Sequence, residues 1–510
     1  MSLQSTIRGA GRPNALISAA LGGLVIIVFG QTLGFDYVNF DDGDLIRRNE
    51  RLGQGFSLEF LRWAFTTTDG ANWNPLLWLS YALDRLLIPG PSTAAHHAAN
   101  LIYHWLNSVL VFLILQRLQA QRAIAFVCAA IFAIHPQNVE AVAWIMARKD
   151  LLSTLFGLLA VLLYLKQRQA PTLPRPMILI SLLMLISISV KPMFVTLPCI
   201  LLLLDYWPLG RGANATLAQS LPKLILEKWP LFAVTLLGAF IGYFAHDSGG
   251  ALVDLPLAIK LGNVVNAYWL TLSNFFVPAA LSPYYPIYAG GLDRHSWMAL
   301  ALLLGISLLA WKYARQLPFL AAGWCWFLGT LFPVSGVIHF GIHGAADRFN
   351  YVPGIGLIWV SVMGICLLLG STRLRQVAAS AVIVLGASLS WMQAGHWQNG
   401  LSLFRQAHKL GGDEPFVLSS LAFAHWEYGM PEEAIQYNLR GLESLNAGGI
   451  TIAGTEFKLW RNGGSYLAHE GKLDAAIYYL ENALTLNPDS PDIQQQLREL
   501  REQQAEAIEP

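Results

Sequence analysis

The sequence predicts an all-α protein in two parts, a polytopic membrane helix bundle followed by a solenoid of short helix pairs. Three observations carry this. Hydrophobic residues make up 55% of the 510 and charged residues 13%, with a mean hydropathy of +0.46, a balance that soluble chains do not show. Apolar runs of spanning length recur up to about residue 395, and beyond Trp397 the composition turns polar and two related helical blocks appear. The net charge of +1 leaves no basic excess to follow a nucleic-acid backbone, which excludes that class of partner.

The first run, Ala15 to Leu33, carries no charge and follows Arg8 and Arg12. It reads as an uncleaved signal anchor with its N-terminus in the cytoplasm, since no small-residue cleavage site precedes Asp36. It delivers Phe40-Asp41-Asp42-Gly43-Asp44 to the outer side. The long outer loop 35–97 that follows has apolar residues at helical spacing in Phe56 to Phe65 and Trp73 to Leu87, as amphipathic surface helices do.

Further apolar runs begin near Ala98, Ala123, Leu151, Met177, Met193, Pro230, Ser296, Pro318, Tyr351 and Val377, giving roughly eleven spans. The basic loops alternate with them: Arg117 with Arg122; Lys166, Arg168 and Arg175; Arg211, Lys223 and Lys228; Lys312 with Arg315; Arg373 with Arg375. All are cytoplasmic under the positive-inside rule, provided Leu255 to Leu281 does not cross. That stretch, with Lys260 and Pro278, Pro283 and Pro286, reads as a re-entrant or surface-lying helix. Cys128, Cys199, Cys325 and Cys366 lie in apolar runs and read as buried thiols. Tyr284, Tyr285, Tyr288 and Trp297 form an interfacial belt or a sugar-stacking surface.

The cations that break the rule are Arg148, Lys149, Lys191 and Arg348, all in short outer loops. Snorkelling accounts for any one of them. Converging on the face that carries Asp41 and Asp42, they are what a phosphate-bearing lipid needs, because they neutralise charge beyond the reach of water. Asp41 and Asp42 also suit the N-cap of a helix over Gly43 to Asn49. Asp42 with Asp44 admits a divalent cation, Mg²⁺ or Mn²⁺, as a possible cofactor. His135 and Glu140 stand five apart, too far round a helix to share a metal, and read as caps or braces of a span end. His246 with Asp247, and His343, are open between structural and catalytic roles.

Several outer stretches carry more polar detail than a connection requires: Trp73-Asn74-Pro75, His135-Pro136-Gln137-Asn138-Val139-Glu140, Arg148-Lys149-Asp150, Lys191-Pro192, and Ala346-Asp347-Arg348-Phe349-Asn350-Tyr351-Val352-Pro353. In their order they resemble the GT-C class of integral-membrane glycosyltransferases, and within it the transmembrane TPR-containing O-mannosyltransferases and their bacterial relatives. The resemblance runs from Val38 to the C-terminal blocks. It implies transfer of a sugar from a polyprenyl-phosphate carrier to a hydroxyl acceptor, polypeptide or glycan, on the extracytoplasmic face, with inversion. It also implies Asp41 as general base with Asp42 beside it, Arg348 at the carrier phosphate, and His135, Glu140, Asp150, Asp347 and Tyr351 as further site candidates. The chain departs from the mannosyltransferases in having Arg148-Lys149-Asp150 where they show Gly-Arg-Ala-acid and Lys191-Pro192 where they show Lys-Glu, so the sugar stays open. The chemistry is coherent: an alcohol attacks well once a carboxylate accepts its proton, and a phosphate leaves well when cations hold it.

The tail has Leu421-Ala422-Phe423, Tyr428-Gly429 and Glu433-Ala434 in one block and Gly464-Ser465-Tyr466, Glu470-Gly471 and Ala475-Ala476 in the next. This resembles tetratricopeptide helix pairs, with a Gly-rich insertion over Asn446 to Thr455 and an extra helix over Gln393 to Lys409. The expected domains are a transmembrane catalytic part, 1–395, and a TPR-like part, 396–510, which an odd span count places outside the cytoplasm. There it would recognise an acceptor polypeptide or serve as a cap. The Trp-rich, short-looped style suggests a bacterial inner membrane with the active face and the TPR-like part in the periplasm. Two other functions compete: a transporter or flippase for a lipid-linked anion, and a TPR scaffold for envelope assembly.

Overall fold

The computed structural model describes residues 3–88, 90, 92–118, 121–169, 176–211, 217–248, 255–338, 341, 343–446 and 454–508. Arg175 and residues 447–453 of the expected insertion lie outside this set, as do the side chains of His246 and Asp247. Among the described residues the architecture is all-α; an isolated bridge between Tyr285 and Ala345 is its one extended pairing.

The chain opens with α1 (Leu3–Phe29), and the first long connection carries α2 (Leu58–Thr66) and α3 (Pro75–Leu87). Next come α4 (Thr93–Arg117), α5 (Arg122–Ile134), the short α6 (Val139–Ala143), α7 (Arg148–Gln169), α8 (Pro176–Ile188) and α9 (Leu197–Tyr206). The second half of the bundle holds α10 (Leu217–Glu227), α11 (Trp229–Ser248), α12 (Leu257–Phe276), α13 (Arg294–Lys312), α14 (Pro318–Leu331), α15 (Pro353–Leu368) and α16 (Thr372–Gly395). The tail consists of α17 (Gly400–Gly411), α18 (Pro415–Glu427), α19 (Pro431–Asn446), α20 (Thr455–His469), α21 (Leu473–Leu486) and α22 (Pro491–Ile508).

Each expected span coincides with a helix, but the spans are unequal. Among the described residues four helices are long and apolar enough to cross a bilayer alone: Asn14–Gly34, Thr93–Arg117, Arg294–Lys312 and Thr372–Gly395. Two more candidates are bent pairs, Arg122–Ile134 with Pro136–Ala143 at 51° and Gln219–Glu227 with Trp229–Phe244 at 63°. The helices Met177–Ile188, Pro192–Tyr206, Pro318–Val334 and Pro353–Leu368 are shorter. Proline sets the breaks at Pro136 and Pro192, where no ring N–H continues the ladder. Irregular backbone at such depth is tolerated when protein covers it, and Gln137, Asn138, Met193 and Phe194 are all buried.

α12 occupies the stretch expected to be re-entrant or surface-lying. Its Asn263 donates to the Gly344 carbonyl, Tyr268 donates to the Leu328 carbonyl, and Thr271 accepts from Gln137. α12 is thus tied to the 344 loop, to the last turn of α14 and to the break at Pro136. At the C-terminal end of α7, Asp205 is fully buried and is held by Lys228, Arg211 and the Tyr164 hydroxyl at 2.6 Å, with Glu227 joining Arg168 and Arg211. α7 carries the chain from Arg148 to this network over about 30 Å.

Two expectations need correction. Cys199 and Cys325 are exposed on apolar helices and only Cys128 is buried, although all four thiols are free. The expected helix over Gln393 to Lys409 is two helices, because Asn399 caps α17 in a reciprocal box with Ser402. In the tail, α18 packs on α19 and α20 on α21, and Gly429 and Gly471 take the left-handed turns with φ of 70° and 71°, which side chains with a Cβ disfavour. The amphipathic α2 and α3 form as expected, with Leu58, Leu86 and Leu87 exposed and Phe60, Trp78 and Tyr81 buried.

Candidate active site

The outer motifs, scattered over some 310 residues of sequence from Asp41 to Tyr351, gather around one indole. Phe40 meets the Trp144 ring edge-on at 5.0 Å. The Arg348 guanidinium lies 5.0 Å from the same ring and the Lys149 ammonium 5.8 Å from it. Arg348 also lies 5.1 Å from the Phe349 ring, which Lys191 approaches at 5.3 Å. Three cations thus share two aromatic rings, each contact attractive through the ring quadrupole.

Carboxylates balance them. Glu140 accepts from the Arg348 backbone N–H at 2.9 Å and pairs with its guanidinium. Asp150 pairs with Lys191 at 2.5 Å. The charge acting most strongly on Lys149 is Asp41. Two buried polar atoms here, Arg348 Nε and Asp150 Oδ2, lack a hydrogen-bond partner among the described residues, which leaves capacity for a polar ligand.

The two aspartates have different environments. Asp42 is 1% exposed; its carboxylate accepts from Val38 N–H at 3.2 Å and Met146 N–H at 3.1 Å, which ties the loop to the Trp144 segment. Burial pushes its pKa up to about 7, with the two backbone donors opposing and Asp41 adding to the rise. Asp41 is only partly buried. Neither carboxylate caps the following turn: Asp42 is the N-cap residue, but its side chain turns back to Val38.

Other candidates fall elsewhere. Arg148, expected at a lipid phosphate, is 0% exposed and engaged inside the bundle: it pairs with Asp84 at 2.5 Å, bonds Asn100, Ser80 and the His96 carbonyl, and covers the Tyr81 ring at 4.3 Å. Four of its five N–H donors are spent on these partners and the side chain is sealed from the surface, so Arg148 is a packing element between α3, α4 and α7. Tyr351 is also withdrawn, fully buried with its hydroxyl on His104 at 2.7 Å and Asn107 at 3.2 Å. His135 braces as expected: Nδ1 accepts from Gln137 N–H, and the ring stacks on Phe275 at 4.6 Å. Asp347 faces away from Arg348, toward Tyr285 at 3.1 Å and Asn274 at 3.4 Å, and burial holds its carboxyl well above the usual range.

The Asp42 and Asp44 pairing for a divalent cation does not form. Asp44 is exposed and pairs with Arg48 at 2.7 Å, whereas Asp42 points inward. Among the described residues no three His, Cys, Asp or Glu side chains converge as metal ligands do. The sequence does not single out Trp144 or Asp84, and shows Phe40 only as the edge of the acidic motif; Trp144 stands between two quoted motifs, and its neighbours Ile145 and Met146 make it look like ordinary span.

These features define an integral membrane protein: a helix bundle with a charged aromatic site at one end and a tetratricopeptide-like tail. Among known proteins the chain resembles the protein O-mannosyl-transferases. It is 24% identical over 421 residues to one from Caenorhabditis elegans, covering 78% of this chain and 58% of that protein. It is 33% identical over 169 residues to protein O-mannosyl-transferase TMTC1 of Homo sapiens, 31% of this chain and 19% of the relative. It is 23% identical over 436 residues to TMTC3 of Mus musculus, covering 72% and 44%. The chain therefore matches well under two thirds of the length of these relatives. No protein-family model matches it.

Proposed function

We propose that the protein is a glycosyltransferase that moves a sugar from a polyprenyl-phosphate carrier to a hydroxyl of a polypeptide on the extracytoplasmic face of its membrane. The names of the relatives suggest mannose as the sugar and protein as the acceptor. The observation that carries the reading is the cluster of Lys149, Lys191 and Arg348 on the Trp144 and Phe349 rings, with the charge of the partly buried Asp41 acting on Lys149. A carboxylate and a cation cluster are the two things that the reaction demands.

In this mechanism Asp41 accepts the acceptor O–H proton as that oxygen bonds to the anomeric carbon. The bond from that carbon to the phosphate oxygen breaks with inversion, and the polyprenyl phosphate departs with the electron pair. Arg348, Lys191 and Lys149 stabilise the charge on that leaving group. Asp42 acts as a positioning residue, holding the loop through Val38 and Met146. The proposed sidedness puts the N-terminus and basic loops in the cytoplasm and the site and tail 396–510 outside, which in a bacterium is the periplasm.

The test uses purified full-length protein, a synthetic polyprenyl-phosphate sugar and an acceptor peptide. Asp41→Asn should reduce turnover by about 10²-fold or more while carrier binding persists. Arg348→Ala should weaken carrier binding. An Asp41→Asn variant that turns over normally removes the base assignment.

A further inference from the structure

A polar cleft of about 220 Å³ opens between the first outer loop and the tail. Asn39, Phe40 and Gly43 line it, so it flanks Asp41 and Asp42 on both sides in sequence. Its walls are fixed relative to each other. Asn39 donates to the Ser420 carbonyl at 2.8 Å, Asp36 N–H to the Gln398 carbonyl at 2.9 Å, and Phe40 packs on Phe404 and Phe416 at 5.8 and 5.7 Å.

The charge of the cleft is one-sided. Arg47 and Arg48 come from the loop, Lys458 and Arg461 from α20. Two carboxylates oppose these four cations: Asp44 pairs with Arg48 at 2.7 Å, and Glu427 lies 3.8 Å from Arg47. Arg461 contacts the neutral Asn462 and the Phe457 ring, and Lys458 is exposed. The cleft is therefore positive by two. Asn39, Asn462 and Ser420 line it as well, and an amide that both donates and accepts matches a peptide unit better than it matches a lone anion.

Resting on the acceptor being a polypeptide, we propose that this cleft seats an acidic extended segment of the acceptor next to the hydroxyl to be modified. Lys458 and Arg461 then select acceptors by charge from a wall outside the catalytic cluster.

The test uses full-length protein in phosphatidylcholine nanodiscs and two fluorescent peptides with the same central Ser/Thr stretch, one flanked by Glu and one by Gln. The Glu peptide should bind about tenfold more tightly at low salt, and the double variant Lys458→Glu/Arg461→Glu should abolish the difference. In transfer, the double variant should raise KM for the Glu peptide about tenfold at unchanged kcat, leaving the Gln peptide unaffected. The milder Lys458→Gln/Arg461→Gln pair should give an intermediate loss, which keeps the test readable if the charge reversal unfolds the tail. Equal binding of both peptides, or a preference that survives both variants, overturns the proposal. A wild type that shows the binding preference but transfers nothing supports the cleft and removes the transferase reading. Transfer to both peptides with KM unchanged in the variants does the reverse.

Discussion

Adjacent aspartates in one turn carry opposite assignments because their surroundings differ. Asp42 is enclosed and bound to two backbone N–H groups, while Asp41 is partly exposed and its charge acts on Lys149. The pKa of Asp42 rises from an ordinary 3.8 to about 7, so between those values the folded protein keeps a proton that the unfolded chain releases. By linkage, the stabilisation tied to this proton is full below about pH 4 and is lost as pH climbs to 7. Thermal unfolding in detergent should therefore fall more steeply from pH 4.5 to pH 7.5 in wild type than in Asp42→Asn; parallel profiles would refute the assignment. Arg148 gives the contrasting case. Truncation to Ala leaves the buried Asp84 without its guanidinium, with the His96 ring at 2.6 Å as its remaining partner, so Arg148→Ala should lower stability by roughly 3–5 kcal/mol without a selective loss of carrier affinity, which unfolding and binding measurements separate. The sequence made the outer loops legible as places, since rule-breaking cations stand out by alternation. It did not distinguish Arg148 from Lys149, because the partners that consume Arg148 lie 48 to 68 residues away and leave no local trace.

Helices were legible where apolar length is a local property, and less so where neighbours finish them. Short α14 and α15 persist because they approach through glycines. A Cβ on Gly323 would lie 2.7 Å from the Gly356 carbonyl oxygen, and one on Gly356 would lie 2.4 Å from the Gly323 carbonyl oxygen. Small residues at such a crossing let backbones pack without hydrophobic driving force between helices. No spacing rule exposed this contact, since the partners sit on different helices 33 residues apart. Gly356→Leu should destabilise the bundle by at least about 1–3 kcal/mol, seen as a lower midpoint in detergent. Gly305→Leu, with nothing within 4 Å of its Cβ position, should leave that midpoint unchanged. Equal effects would mean that the glycine crossing does not hold the pair. Because α15 begins just after Arg348 and Tyr351, a shift there would also be felt at the cation cluster.

Over the whole molecule, the proposed chemistry requires one end of the bundle to face away from the cytoplasm, with loop and tail on the same side. Alternating charge suggests this sidedness in the sequence, and the contacts put the two sets of charges at opposite ends of one helix. α7 runs from Lys149 and Asp150 at the site to Lys166 and Arg168 near the Asp205 and Glu227 network, and the Asn39 to Ser420 bond joins loop and tail. What the sequence could not supply was that join, because a hydrogen bond across 381 residues has no periodic signature. The arrangement makes a single labelling pattern necessary. In a background where the four native cysteines are replaced, Asp44→Cys and Lys458→Cys, both at exposed positions, should react with a membrane-impermeant maleimide added from the extracytoplasmic side. Arg315→Cys, exposed at the end of α13 away from the site, should react only after the membrane is opened. Labelling of Asp44→Cys and Arg315→Cys from one side would mean an even number of crossings between them. The basic loops would then share a compartment with the acids, and a lipid-borne donor could not meet Asp41 across the leaflet that the reaction requires.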